Sequence, residues 1–415
     1  MEKSKYTTNS ETNRVFSVFD TFKKDAEDIN TSSVNEAKSS QPVLTISSLG
    51  QLGRFGNQIF QYAFLRICAQ KSGATVECPP WIGQTLFGHD DAPISKHLPP
   101  AIERWEFGKN MFDLIPEFIP YIEKLAGAKS SRVGLEALDK ELVNVDMWGF
   151  FQVHTRFLRP HKEFFRSLFQ PVSDLKSPLE DGLNLLHSKG KTIIGIHIRR
   201  GDFIREPLAR YTLVVPSKWW CNWLDSIWSE LENPVLFLCS DDIDSIIHDF
   251  DKFSPVTSQD LNVKLPERMK NLNIEFYIDF FMLSNCDVVG ISNSSFSFTA
   301  CLLNEHAKMF VRPHRDFSTK FTVFDPWNSE PLLHLGAERS KFLKSFSDAL
   351  YVTFVTQGLW VMLRCACIYI PKSFIKIWAS RAYLGYQIDG IVGVVKSLLY
   401  TLGWRSVWKT PDSAN

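Results

Sequence analysis

The sequence predicts an α/β fold in two domains that share a site between them. Three observations carry this. An apolar run at Val43–Ile46 leads into Gly53-Arg54-Phe55-Gly56-Asn57-Gln58, and a second at Thr192–Ile196 leads into His197-Ile198-Arg199-Arg200-Gly201-Asp202. Both read as buried strands ending in a polar turn, and ligands of open α/β folds bind beyond such carboxyl ends. From Lys191 onward, apolar strands alternate with helical stretches, the pattern of a parallel sheet with right-handed crossovers. The third observation is length: 415 residues exceed one ordinary domain.

The elements follow in order. Residues 1–41 are rich in Ser, Thr, Asn and charge and read as a disordered leader. Residues 42–190 make the first domain. Gln58–Gln70 carries Ile59, Phe60, Ala63, Phe64 and Ile67 at helical spacing, Gly73 ends the helix, and Thr75–Cys78 is extended again. Residues 191–340 make the second domain, with strands at Thr192–Ile196, Val235–Cys239, Cys286–Ile291 and Met309–Val311 and helices at Ser217–Leu231 and Phe296–Asn304. On the helix that opens at Ser217, Trp219 and Trp223 share a face, and core packing is the reading their spacing favours over sugar stacking. Residues 341–415 carry nine basic and three acidic side chains, a net of +6. Within them Ala349–Ile370 is apolar but interrupted by Gln357 and Arg364. Two readings stand: an amphipathic tail in peripheral contact with an anionic membrane face, or a helix packed back on the body.

Composition narrows the classes. The 46 basic and 46 acidic residues balance, so no basic field for nucleic acid is expected. Eight cysteines without a CxxC pair read as buried reduced thiols. The first residues lack an apolar stretch, so the expected location is the cytoplasm or the cytoplasmic face of a membrane. Asn30-Thr31-Ser32 and Asn293-Ser294-Ser295 match the glycosylation pattern and read as chance matches.

Four strand ends carry the chemistry. Gly50, Gly53 and Gly56 let backbone approach a ligand, but they do not form a dinucleotide GxGxxG or a P-loop. Arg54 and Asn57 add polar groups there. At the second end, alternation sends His197, Arg199 and Gly201 to one side of the strand. Arg199 can aim its planar fork at a diphosphate while Arg200 pairs elsewhere, Asp202 being the nearest carboxylate. His197 also fits a core histidine. At the third end, Asp241 and Asp242 follow Val235–Ser240 and suit a guanine or ribose, although Asp242-Ile243-Asp244 is formally a metal-binding DxD and either aspartate can cap a helix. At the fourth, Ser294, Ser295 and Phe296 open a helix whose amides favour an anion. Together these ends supply what a sugar nucleotide requires.

With those segments quoted, the chain resembles the α1,2-fucosyltransferases of glycosyltransferase family 11, within the superfamily that includes α1,6- and protein O-fucosyltransferases. Leu52–Ala63 is similar to the family's opening GxLGNQxFQYA, His197–Asp202 to HxRRGD, Leu238–Asp242 to FSDD, and Ile291–Ser297 to SNSSFS. The likeness runs from about Leu49 to Phe324. It departs at Phe298-Thr299, where the family has Trp-Trp, and in Gly-Arg-Phe-Gly-Asn, which is closer to the O-fucosyl enzymes.

The resemblance implies a GT-B-like architecture, two Rossmann-like domains facing a central cleft. It implies GDP-fucose as donor, an oligosaccharide or glycoconjugate acceptor with galactose O2 as the expected position, and no metal or other cofactor. By the same resemblance Arg199 neutralises the β-phosphate as fucose departs, and Asp241 or Asp242 holds guanine. Ser294, Ser295 and Phe296 line the diphosphate and base pocket, while Gly53, Arg54, Gly56, Asn57 and His197 sit at the donor. Asp202 and Glu206 are candidates by position for the base that takes the acceptor proton.

Overall fold

The structure is a computed structural model that describes residues 41–104, 117–201, 203, 214–314 and 321–333. The leader, apart from Gln41, and the basic segment 341–415 lie outside the described residues. Among the described residues, no helix is long and apolar enough to cross a membrane.

The first sheet holds β1 (Val43–Thr45), β2 (Thr75–Glu77), β3 (Pro100–Glu103), β4 (Ser131–Val133) and β5 (Val145–Trp148), in the order β2-β1-β5-β3-β4 and parallel throughout. Its helices are α1 (Phe55–Ser72), α2 (Ile82–Phe87) and α3 (Phe118–Ala126). The chain crosses over through α4 (Lys162–Ser167) and α5 (Ser173–Ser188). The second sheet holds β6 (Thr192–Ile198), β7 (Pro234–Ser240), β8 (Val288–Ile291), β9 (Met309–Pro313) and β10 (Phe321–Val323), in the order β10-β9-β8-β6-β7. Among these described strands only β10 runs antiparallel. Around the sheet lie α6 (Ser217–Ile227), α7 (Phe276–Leu283) and α8 (Ser295–Leu303). Two parallel-rich sheets, each flanked by helices, make this a GT-B-like α/β fold.

Burial explains the strands. Ile193, Ile194, Ile196 and Ile198 of β6 are all buried, as a central parallel strand covered on both faces requires. Helix α1 starts at Phe55, three residues earlier than the sequence reading places it. Extended Arg54 is its N-cap, and left-handed Gly73 closes it by donating to Ala69 O. The Gly-Arg-Phe-Gly-Asn segment is thus a turn only as far as Arg54; Phe55, Gly56 and Asn57 are already helical. The helix is apolar nearly all round because both domains pack on it. Leu44, Ile46, Ile59 and Phe64 share one continuous core with Ile193, Phe237, Val289 and Phe298.

In α6 the innermost tryptophan is Trp220, which meets Phe321 at 4.3 Å, with Trp219 and Trp223 half-buried around it. Core packing is their role. Helix α5, grouped by the sequence reading with the first domain, packs on the second: a Cβ at Gly182 would meet Val263 at 2.6 Å and Met282 at 3.1 Å. Helix α8 is held at its far end by Arg166 of α4. That side chain donates to Leu302 O and Asn304 O at 3.1 and 2.7 Å and pairs with Glu305. A cation there also complements the helix dipole. The six described cysteines are free thiols, and burial pushes Cys68 and Cys78 up to about 12.

Candidate active site

The register of the second sheet aligns three strand ends. His197 lies opposite Cys239 on one side and Ile291 on the other, and Ile198 lies opposite Ser240. The chain therefore leaves β6, β7 and β8 along one edge, carrying Arg199-Arg200-Gly201, Asp241-Asp242 and Ser292–Ser295 respectively. Ser292 fixes this edge. Its amide and hydroxyl both donate to His197 O at 3.0 Å, and its Oγ accepts from the Arg199 amide at 3.0 Å.

Arg199 and Asp241 form an ion pair with Nη1 to Oδ2 at 2.6 Å, and the guanidinium lies 5.6 Å from the Phe203 ring centre. Asp241 also accepts the Arg200 amide at 2.8 Å. Gly201 permits this approach, since a Cβ there would fall 2.2 Å from Asp241 Oδ2. Both Asp241 oxygens are thus engaged, one of them in aiming the guanidinium. The Arg200 side chain pairs with Asp242 at 3.2 Å. The Ser245 hydroxyl, then Arg200, hold the Asp242 carboxyl below its ordinary range. Asp202 and Glu206 lie outside the described residues.

His197 is buried, its Nδ1 has no partner, and its ring lies 5.2 Å from that of Phe296. Desolvation, helped by the Arg199 charge, depresses it to about 3, so it is a neutral imidazole at any physiological pH. Phe296 is braced by Phe276 and Phe280 of α7. Ser294 is the N-cap of α8 through its backbone, while its side chain makes no capping bond. The first amides of that helix have no intrahelical acceptor.

Asn57 comes from the other domain and reaches the same helix start. Its Oδ1 accepts from Ser295 Oγ at 2.7 Å and from Gln152 Nε2 at 2.6 Å. The two glycines beside it are explained by packing. A Cβ at Gly56 would lie 2.5 Å from Phe296 N, so this glycine lets α1 touch the α8 backbone. Gly53, at φ +80°, sits under the Asn57 amide, and a Cβ there would fall 2.4 Å from Nδ2. Arg54 is exposed at the N-cap position.

These residues fall within the span 29–323, which matches the family model described as glycosyl transferase family 11. The chain belongs to glycosyltransferase family 11. No curated protein matches it. Among solved structures it is similar to the α-1,6-fucosyltransferase NodZ of Bradyrhizobium soaked with GDP-fucose, at 15% identity and a TM-score of 0.44, covering 69% of this chain and 99% of that one. It is also similar to FUT1 of Arabidopsis thaliana with GDP, at 12% identity and 0.40, covering 75% and 81%. A third, POFUT1 with GDP, stands at 12% and 0.36, covering 65% and 97%.

Three contributors that sequence reading missed are Gln152, Glu103 and Gln61. They act on Asn57 or on the loop behind it across 47 to 95 residues of chain, and no local motif marks them.

Proposed function

We propose that this glycosyltransferase is an inverting fucosyltransferase that moves L-fucose from GDP-fucose to a glycan hydroxyl, at O2 of galactose. The observation that carries this reading is the shared edge of β6, β7 and β8. It sets one guanidinium, a neutral imidazole and the start of a helix side by side, with Asn57 of the opposite domain hydrogen-bonded to that helix start.

In a single displacement the acceptor oxygen bonds to fucose C1 as the bond from C1 to the β-phosphate oxygen breaks. The pair of electrons leaves on the diphosphate, and the acceptor proton passes to a base. Charge therefore develops at the β-phosphate, where Arg199, already aimed by Asp241, supplies a fixed positive fork. The N-terminal amides of α8 add a second anion-stabilising element. The ring of Phe296, backed by buried His197, suits the nucleotide base. Arg54 and Asn57 close the donor site from the first domain, Gly53 and Gly56 shaping that turn by letting Asn57 and α8 pack against it, with Ser294, Ser295 and Asp242 at its rim. Asp202 and Glu206 remain the sequence-based candidates for the base.

The test is an acceptor array assayed with GDP-fucose beside other GDP-sugars, with the linkage of any product read by NMR. Transfer from GDP-fucose alone, giving α1,2-fucosyl-galactose, is the expected result. Transfer only from another sugar nucleotide overturns the reading.

A further inference from the structure

The loop from Gly149 to Gln152, between β5 and the crossover, is held more firmly than its length demands. Phe151 has φ +51°, a left-handed backbone that an aromatic residue adopts only under constraint. Its ring is fully buried and stacks on Phe64 at 4.5 Å and 13°. Buried Gln61 donates to Gly149 O at 2.8 Å. Buried Glu103 accepts from the amide of Phe150 at 2.8 Å and from that of Phe151. Gly149 fits because a Cβ there would lie 2.4 Å from Glu103 Cβ. Strain overcome by this many contacts marks a backbone shaped for something other than its own stability. What the loop delivers is Gln152, whose Nε2 meets Asn57 Oδ1 at 2.6 Å.

An amide oxygen accepts two hydrogen bonds. Gln152 and Ser295 use both, one from each domain, and Gly53 leaves room for the Nδ2 side. We propose that Gln152 is a positioning residue for transfer: with Ser295 it saturates the Asn57 oxygen and so turns the Asn57 amino group toward the departing diphosphate. This rests on the donor-site reading above. Without Gln152 the amide is free to turn over, presenting oxygen to an anion.

The experiment compares the full chain with Gln152→Glu, Gln152→Leu and Asn57→Asp, measuring GDP binding by calorimetry, donor kcat and KM, and the thermal midpoint. The ionised carboxylate that Gln152→Glu introduces can only accept, so the Asn57 amide must invert. Turnover with GDP-fucose is expected to fall about tenfold or more at pH 8. As the introduced carboxyl protonates it donates again, and the ratio of variant to wild-type turnover is expected to rise as pH falls. Titratable groups on the surrounding elements are Arg54, Glu103, His154 and His197; all are present in the wild type and cancel in that ratio. Gln152→Leu is expected to lose turnover without pH recovery. Asn57→Asp keeps an oxygen for both donors, so it is expected to keep its thermal midpoint while losing turnover. Undiminished, pH-independent turnover in Gln152→Glu, with GDP binding intact in the wild type, overturns this proposal alone. Failure of the wild type to bind GDP overturns the functional reading and this proposal with it.

Discussion

Substituting Gly56→Ala tests how closely the two domains meet. The new Cβ would lie 2.5 Å from Phe296 N and Ser295 C and 2.6 Å from Ser295 O, where ordinary contact starts near 3.4 Å. These are backbone atoms, so the first turns of α1 and α8 must part by about 0.9 Å. The Ser295–Asn57 bond, 2.7 Å long, then opens to about 3.6 Å, beyond hydrogen-bonding range. Overpacking costs about 1–3 kcal/mol and the lost bond about 1 more. Replacing a helical glycine by alanine ordinarily gains up to about 1 kcal/mol, which leaves a net loss of about 1–3 kcal/mol. Urea unfolding checks this, with a lower midpoint at unchanged slope, and calorimetry should show weaker GDP binding. Equal or greater stability in the variant would refute the close contact and the site geometry built on it.

Other outcomes follow from the same geometry. Arg199→Ala is expected to cost on the order of 10²–10³ in kcat with GDP-fucose, read by steady-state kinetics, and Arg199→Lys to recover only part of it because a point charge lacks the fork. Asp241→Asn, which removes the aiming carboxylate, should lower kcat by a smaller factor, and unaltered kinetics would show that Arg199 needs no such support. Excess chelator is expected to leave transfer unchanged; loss of activity reversed by added divalent cation would point instead to Asp242 and Asp244. Glu103 gives a pH dependence. Burial pushes its carboxyl up to about 7 from the ordinary 4.5, so the folded protein binds that proton more tightly than the unfolded chain. Its contribution is whole below about pH 4.5 and lost as pH rises through 7, about 3 kcal/mol in all. Chemical denaturation should therefore find Glu103→Gln more stable than wild type at pH 8 and not at pH 4.5.

The second sheet was legible because each of its central strands is a continuous apolar run ending in charged or hydroxylated residues. That is how a fully covered parallel strand must look. The pairing of Arg200 was not: Asp202 is nearer in sequence, yet strand register puts Asp242 beside it. The glycines of the first turn read as clearance for a ligand, but the space beside Gly56 is taken by the helix at residues 295–303, which distance along the chain hides, while Gly53 faces Asn57 and Gly50 faces Pro80 and Trp81. Helix α1 was read as starting late because Gly56 and Asn57 look like turn residues, whereas their neighbours in space make them helical. Gln152 carried no signal, since its meaning comes only from folding 95 residues of chain back onto Asn57.

Of the three apolar clusters among the described residues, the one that runs beneath both sheets couples their fates. Phe55 of the first half meets Phe276, Tyr277 and Phe280 of the second, and Phe60 meets Phe298. A gene fragment encoding either half alone would leave these rings wet, and heat should melt the intact molecule in one endotherm.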